Sequence, residues 1–232
     1  MKLSDLALTA ALSLSQAIEV RAETVQGFDI SNHQATVDFK AAYNDGARFV
    51  MIKATEGTDF VDKVFSSHYQ GATDAGMIRG GYHFALPNKS TGAKQAQQFI
   101  SHGGGWSKDG ITLPGMLDIE YNPYGSTCYD LSASDMVAWI KDFVDTYQKA
   151  TGVYPMIYST ADWWKTCTGN AGGFGKTCPL VLAAYSSSPP STIPGDWATY
   201  TIWQNSDSYT HGGDSDLFNG AYSQLQKIAN AE

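Results

Sequence analysis

Short apolar segments alternate with amphipathic helical segments along most of this chain of 232 residues. An apolar run such as Phe49-Val50-Met51-Ile52 is typical of a strand that is buried on both faces. Helical spacing of apolar residues is clearest at residues 132–150. The pattern predicts helices at residues 37–44, 62–75, 91–101, 132–150 and 221–229. It predicts eight strands, at residues 25–30, 47–54, 78–84, 113–120, 154–159, 180–185, 199–204 and 214–218.

Repeated strand–helix units predict an α/β fold with a parallel sheet covered by helices, and eight strands favour closure of that sheet into a barrel. Helical signals are weak between the strands of the last third of the chain, so we expect an irregular barrel there. No Ser/Gly tract, proline-rich run or charge block divides the sequence. We therefore predict one domain rather than two small ones.

Polar and aromatic residues recur at the carboxyl ends of the predicted strands, where the chemistry of a βα barrel takes place. These residues are Asp29, Lys53, Glu56, Tyr82, His83, Asp118, Glu120, Tyr158, Tyr185, Trp203, Gln204, Asp214 and Asp216. Their shared placement predicts one acidic rim with aromatic side chains around it.

The motif Asp118-Ile119-Glu120 carries the strongest chemical signal. Alternate residues of a strand share a face, so its two carboxylates would lie side by side. Such neighbours raise each other's cost of ionising and can split their pKa values, which suits proton transfer. The alternative is a pair of solvated charges at the mouth of a loop.

The other candidates also have structural explanations. Asp29 could cap a turn, and Glu56 could be a loop charge. Tyr82 and Tyr158 could be core rings, and a structural role is favoured for His83. Clustered carboxylates can hold hard cations, but the chain has no EF-hand loop and no His-Glu-x-x-His motif. We therefore expect neither a metal nor a cofactor.

The amino-acid composition limits the kinds of partner that the protein can bind. A net charge of −8 argues against nucleic acid, which requires a basic face. No run of eighteen apolar residues exists, so we expect no membrane span. Six Trp and thirteen Tyr residues are many for a chain of this size, and such amphipathic rings often line sugar sites.

The N-terminus predicts export. Lys2 precedes a short apolar region at residues 6–14, which is typical of a signal peptide. We assign residues 1–23 to this segment and residues 24–232 to a catalytic domain; the alternative is an ordinary N-terminal helix. Cys167 and Cys178 flank a glycine-rich segment. In an exported protein we expect a disulfide between them, which leaves Cys128 buried and inert.

An ordered set of motifs covers the chain from Gln26 to Asn230. The motifs are Gly27-Phe28-Asp29-Ile30-Ser31, Lys53-Ala54-Thr55-Glu56-Gly57, Gly81-Tyr82-His83-Phe84, Leu117-Asp118-Ile119-Glu120, Ile157-Tyr158-Ser159, Trp203-Gln204 and Asp214-Ser215-Asp216-Leu217-Phe218-Asn219-Gly220. With these motifs the sequence resembles the family 25 glycoside hydrolases, lysozymes that act as N-acetylmuramidases, and is most similar to the secreted fungal members.

The resemblance implies a single domain with a flattened, irregular barrel of the (β/α)5(β)3 type. It implies hydrolysis of the β-1,4 bond between N-acetylmuramic acid and N-acetylglucosamine in bacterial peptidoglycan. The Asp-x-Glu motif of the family maps onto Asp118 and Glu120, its early Asp onto Asp29 and its late Asp onto Asp214. Family members often carry Asp-Leu-Asn/Asp at the late site, so the choice between Asp214 and Asp216 for the cleft stays open.

The resemblance also suggests roles. Glu120 would be the proton donor, and Asp118 would either orient the 2-acetamido group of the substrate or act as nucleophile. Asp29 and Asp214 would shape the electric field of the site. The expected sugar contacts are Glu56, Tyr82, Tyr158, Trp203 and Asp216. We expect a secreted, extracellular monomer. The alternatives are a non-catalytic protein that binds the wall, and a glycosidase acting on chitin-like polymers.

Overall fold

The computed structural model describes residues 23–232; residues 1–22, which carry most of the predicted export signal, lie outside this range. The strands are β1 (Thr24–Ile30), β2 (Phe49–Glu56), β3 (Phe60–Val61), β4 (Ile78–Phe84), β5 (Met116–Asp118), β6 (Met156–Thr160), β7 (Leu180–Ala183), β8 (Ile202–Ser206) and β9 (Asp214–Asn219). The helices are α1 (Phe39–Asn44), α2 (Phe65–Asp74), α3 (Gly92–Phe99), α4 (Ala133–Thr151), α5 (Ala161–Thr168) and α6 (Tyr222–Ala229).

Eight of these strands close into a barrel. The strand order is β1-β9-β8-β7-β6-β5-β4-β2, and β1 also pairs with β2. The strands run parallel except β9, which is antiparallel to both of its neighbours. β3 forms a short hairpin with β2 outside the ring. A helix follows each of β1, β4, β5 and β6, and α2 follows the β2–β3 hairpin, whereas β7, β8 and β9 follow one another without helices. The predicted (β/α)5(β)3 barrel is confirmed.

Strand alternation creates two apolar layers. Met51 and Met116 point into the barrel, where they pack with Met156, Val181, Ile202 and Phe218. Their neighbours Ile52 and Leu117 point outwards and pack under the helices. Because both faces of these strands are buried, their sequences are apolar throughout. The polar residues of β5, β6 and β8 accordingly lie towards the carboxyl ends of these strands.

Helix α4 shows how the sequence sets the local structure. The Ser132 hydroxyl accepts a hydrogen bond from the Asp135 N–H at 3.2 Å, which caps the first turn. Gly152, with a φ of 83°, ends the helix. Near its end, the Tyr147 hydroxyl donates to the Gly104 carbonyl and accepts from the Gly115 N–H, which fixes the chain just before β5. Within residues 23–232, no helix combines the length and apolar composition that a bilayer crossing requires.

Helix α5 lies in the region of weak helical signals and was not predicted. The Thr160 hydroxyl accepts from the Trp163 N–H at 3.0 Å, and Gly169 ends the helix with a φ of 67°. Eight residues are too few to establish a clear helical period. Trp163 and Trp164 are both buried in the outer apolar layer, so tertiary packing stabilises this short helix.

The predicted Cys167–Cys178 disulfide is wrong. Cys128 and Cys167 form the disulfide, with their Cα atoms 5.2 Å apart. This bond joins the loop between β5 and α4 to α5. Cys178 is a buried free cysteine, and its backbone carbonyl accepts a hydrogen bond from the Trp197 indole at 2.7 Å. Burial raises the pKa of the Cys178 thiol to about 12, so this is the inert cysteine that was expected at Cys128.

Candidate active site

A cavity of about 190 Å³ opens at the carboxyl end of the barrel. Its walls carry four carboxyl groups, one Lys and one His. The lining residues are Asp29, Ser31, His33, Lys53, Tyr82, Phe84, Met116, Asp118, Glu120, Tyr158, Gln204 and Asp214. Eight residues predicted from the strand ends therefore come together here: the four acidic residues, Lys53, Tyr82, Tyr158 and Gln204.

Strand pairing brings two of the acids together. Asp29 of β1 and Asp214 of β9 are direct partners in the antiparallel register. Gly213 comes just before Asp214 and has a φ of 74°. A β-carbon at Gly213 would collide with the Asp29 carbonyl, so only glycine allows this close approach of the two chains.

The Asp118–Glu120 pair occupies the end of β5. The strand ends at Asp118, and Glu120 lies two residues beyond it, yet both side chains line the cavity. Asp118 is 7% exposed, and its Oδ1 atom has no hydrogen-bond partner within residues 23–232. Glu120 is partly exposed. A ligand in the cavity can therefore reach the Glu120 carboxyl and the small exposed part of Asp118, whereas the unpaired Oδ1 atom is shielded.

Crowding and loss of water raise the pKa values of these acids. Burial, followed by the charge of Asp214, raises the pKa of Glu120 to about 7, against the opposing effect of Lys53. Burial and Asp214 also raise the pKa of Asp29 to about 8. Burial, with Glu120 beside it, raises the pKa of Asp118 well above its usual range. The site therefore retains protons at neutral pH, as an acid catalyst requires.

Lys53 is the lysine that lines the cavity. Its Nζ lies 2.6 Å from Glu56, and the Tyr124 hydroxyl donates to the same carboxylate at 2.6 Å. Tyr124 belongs to the loop that the Cys128–Cys167 disulfide holds. Glu56 itself does not line the cavity. Its ion pair with Lys53 instead fixes the position of that lysine.

The sequence places Gln204 at a strand end but predicts no role for it in the site. It is 2% exposed, and its amide nitrogen donates to Asp29 at 2.7 Å and to Asp214 at 3.2 Å. Its amide oxygen accepts from the hydroxyls of Tyr158 at 2.8 Å and Tyr185 at 3.1 Å. An uncharged amide gives no chemical signal of its own in a sequence, and only its position at the end of a predicted barrel strand could have indicated this role.

Besides Glu56, two other predicted sugar contacts, Asp216 and Trp203, lie outside this cavity, as does His83, for which a structural role is favoured. Asp214 faces the cavity, whereas Asp216 is buried one pleat deeper in the barrel and is 2% exposed. Trp203 lies on the opposite face of β8 from Gln204, and its indole donates to the Ala184 carbonyl at 2.7 Å. His83 is fully buried between Thr55 and Gln95, and burial lowers its pKa to about 4, so it is a neutral structural residue.

A second cavity, of about 250 Å³, lies beside the first. It shares Glu120 and Tyr158 with the first cavity and adds the exposed rings of Tyr121 and Tyr185. Glu120 thus stands between two cavities, where an extended ligand could lie across it. A larger depression of about 750 Å³ lies on the surface between α1 and α2 and contains none of these residues. No group of His, Cys, Asp and Glu within residues 23–232 is arranged to hold a metal ion.

Comparisons with known proteins agree with this geometry. The sequence profile of the Glycosyl hydrolases family 25 matches residues 28–214. An N,O-diacetylmuramidase from Arthroderma benhamiae is 57% identical, with 99% of each chain covered. An N,O-diacetylmuramidase from Chalaropsis sp is also 57% identical, over 89% of this chain and 99% of that one.

The fold also resembles that of a solved structure. A family GH25 lysozyme from Aspergillus fumigatus superposes with a TM-score of 0.89 at 72% identity, covering 89% of this chain and 99% of that one. The resemblance inferred from the motifs is confirmed. The protein is a glycoside hydrolase, and its chain belongs to family 25 of the glycosyl hydrolases.

Proposed function

We propose that this protein is a lysozyme that hydrolyses the β-1,4 bond between N-acetylmuramic acid and N-acetylglucosamine in bacterial peptidoglycan. The observation that carries the proposal is Glu120, a partly buried acid with its pKa raised to about 7, between two adjoining cavities and beside Asp118. The names of the 57% identical relatives support muramic acid as the substrate sugar. They also support activity on walls whose muramic acid is O-acetylated.

Glu120 acts first as a general acid. It donates its proton to the glycosidic oxygen while the bond between that oxygen and the anomeric carbon breaks, which stabilises the leaving group. It then removes a proton from the water molecule that attacks the anomeric carbon. A pKa of about 7 allows both steps near neutral pH, because neither protonation state is strongly disfavoured.

Asp118 acts as the partner of the 2-acetamido group. Its carboxyl group lines the cavity and accepts the acetamido N–H, which turns the acetamido oxygen towards the anomeric carbon. That oxygen forms a bond to the anomeric carbon as the leaving oxygen departs, and water later breaks this bond with overall retention. Lys53, on the same cavity wall, favours the ionised form of Asp118 that this role needs.

Replacement of the acid tests the assignment. We expect Glu120→Gln to lower the release of reducing ends from peptidoglycan by about 10³-fold, because an amide cannot protonate the leaving oxygen. Asp145→Asn, an exposed carboxyl-to-amide change in α4, is the matched control and should leave the rate unchanged. Lysis at the normal rate by folded Glu120→Gln would refute the role of Glu120.

The role of Asp118 can be tested with azide. We expect Asp118→Asn to lose most activity, and added azide should not restore it through an inverted glycosyl azide. Formation of that product would instead indicate that Asp118 is a direct nucleophile.

Mass spectrometry of the products decides the substrate. We expect muropeptides with N-acetylmuramic acid at the new reducing end, from plain and O-acetylated walls alike, and no comparable cleavage of chitin. Binding without cleavage would favour the wall-binding alternative, and equal cleavage of chitin would favour the broader glycosidase.

We further propose that the enzyme is a secreted monomer. The Cys128–Cys167 disulfide supports secretion, because such bonds are typical of exported proteins.

A further inference from the structure

Gln204 connects groups that belong to different parts of the cleft. Asp29 and Asp214 line the first cavity, Tyr185 lines the second, and Tyr158 lines both. The Gln204 amide touches all of these side chains through four hydrogen bonds between 2.7 and 3.2 Å. A primary amide has two N–H donors and one oxygen with two lone pairs, so this side chain is fully satisfied.

The orientation of the amide follows from its partners. The reverse orientation would point the amide oxygen at two carboxyl oxygens, which is unfavourable unless both acids are protonated. The observed orientation gives each carboxyl oxygen an N–H donor. It also requires the two tyrosine hydroxyls to donate hydrogen bonds to the Gln204 oxygen. Burial raises the pKa of Tyr158 and of Tyr185, so both hydroxyls keep these protons.

A hydroxyl whose proton is committed in one direction offers only lone pairs in the others. The Tyr158 and Tyr185 oxygens can therefore accept hydrogen bonds from a ligand in the two cavities, while their O–H groups remain hydrogen-bonded to the Gln204 oxygen. Hydroxyl and acetamido N–H groups of an amino sugar are donors of the matching kind.

We propose that Gln204 is a positioning residue that joins the two cavities into one recognition unit, by holding Asp29 and Asp214 on one side and committing the Tyr158 and Tyr185 hydroxyl protons on the other. The amino-sugar ligand in this inference rests on the proposed function. The hydrogen-bond arrangement itself does not, so it can be tested without substrate.

The test without substrate is an NMR titration of the Asp29 carboxyl in the free enzyme. The Gln204 N–H bond lowers the pKa of Asp29, against the larger effects of burial and Asp214. We expect Gln204→Met to raise the Asp29 midpoint by about one pH unit. Tyr185→Phe leaves that N–H bond in place and should move the midpoint little. An unchanged midpoint in folded Gln204→Met would overturn the proposal, whether or not the wild-type enzyme cleaves peptidoglycan.

The test with substrate uses Gln204→Met and Tyr185→Phe, singly and together, on a soluble peptidoglycan fragment. We expect Tyr185→Phe to raise KM about 5-fold in the wild-type background and to add almost nothing in Gln204→Met, because the phenol acts through Gln204. Penalties that simply multiply in the double variant would contradict the proposal.

Gln204→Glu keeps the shape of the side chain and covers the case in which Gln204→Met does not fold. At neutral pH it places another carboxylate against Asp29 and Asp214, so we expect about a 100-fold loss in kcat/KM relative to wild type. This deficit should shrink as the pH falls, since a protonated carboxyl can again donate one hydrogen bond. A deficit that does not change with pH would indicate a packing role only and would overturn the proposal.

Discussion

The two sides of the cleft hold their acids by different means. On the β1–β9 side, Asp29 and Asp214 are bound by the neutral amide of Gln204. On the β2–β5 side, Asp118 and Glu120 face Lys53, which Glu56 holds in place. Hydrogen bonds from an amide fix positions without adding charge, whereas a lysine changes the ionisation of its neighbours. The comparison indicates that the first side sets the geometry of the site, and that the two sides shift the pKa of Glu120 in opposite directions, since Asp214 raises it and Lys53 lowers it.

Removal of the cation should have the largest effect. Lys53 lowers the pKa values of both Asp118 and Glu120, so Lys53→Met should raise them. In a profile of kcat/KM against pH, the alkaline limb, where Glu120 loses its proton, should move up from about pH 7, and the limb set by Asp118 should also move up. We expect about a 100-fold loss at the wild-type optimum. Lys53→Arg keeps the charge and should retain the wild-type limbs; a loss in Lys53→Met without movement of the limbs would remove the distinction between the two sides.

On the β1–β9 side, a substitution should change the free energy of unfolding. The pKa of Asp29 in the folded protein is about 8, far above its value in the unfolded chain, so the folded state binds this proton more tightly. The contribution of Asp29 to stability is therefore present below about pH 4 and is lost as the pH rises towards 8. We expect Asp29→Asn to raise the unfolding temperature at pH 7 by about 4 °C while activity falls, and to have little effect near pH 4. Asp145→Asn is the control, and equal gains at both pH values would contradict the assignment.

The smallest effect should come from the support of the lysine. The Tyr124 ring is exposed, and its hydroxyl donates a hydrogen bond to Glu56, which pairs with Lys53. Tyr124→Phe should therefore loosen the position of Lys53 without removing the lysine charge. We expect about a 3-fold loss of kcat/KM and a slight movement of the pH limbs in the direction seen for Lys53→Met. Tyr154→Phe, at another exposed tyrosine just before β6, is the control. A movement of the limbs in the opposite direction would contradict this chain of contacts.

Much of the site could be predicted because parallel strands bring their carboxyl ends to one edge. Asp29 and the Asp118–Glu120 pair are far apart in the sequence, yet this rule placed them at the same rim. Asp214 reaches that rim from the amino end of β9, because β9 is antiparallel to its neighbours. The strand period could also have shown that Trp203 and its neighbour Gln204 face opposite ways, which removes Trp203 from the cavity.

Other features depend on contacts that no local pattern encodes. Three cysteines allow three pairings, and the observed Cys128–Cys167 bond depends on α5, a helix with weak sequence signals. The function of Gln204 depends on four partners from β1, β6, β9 and the segment after β7. Only the closed barrel brings these groups within hydrogen-bond distance.

The seam between β1 and β9 makes the site dependent on an intact polypeptide. Asp29 comes from the first strand and Asp214 from the last, and these strands are also the ones that seal the ring. A product from which truncation or proteolysis has removed one of these strands loses the β1–β9 pairing together with Asp29 or Asp214. Bacteriolytic activity should therefore appear late in biosynthesis, and a partial translation product should be harmless to any cell envelope it meets.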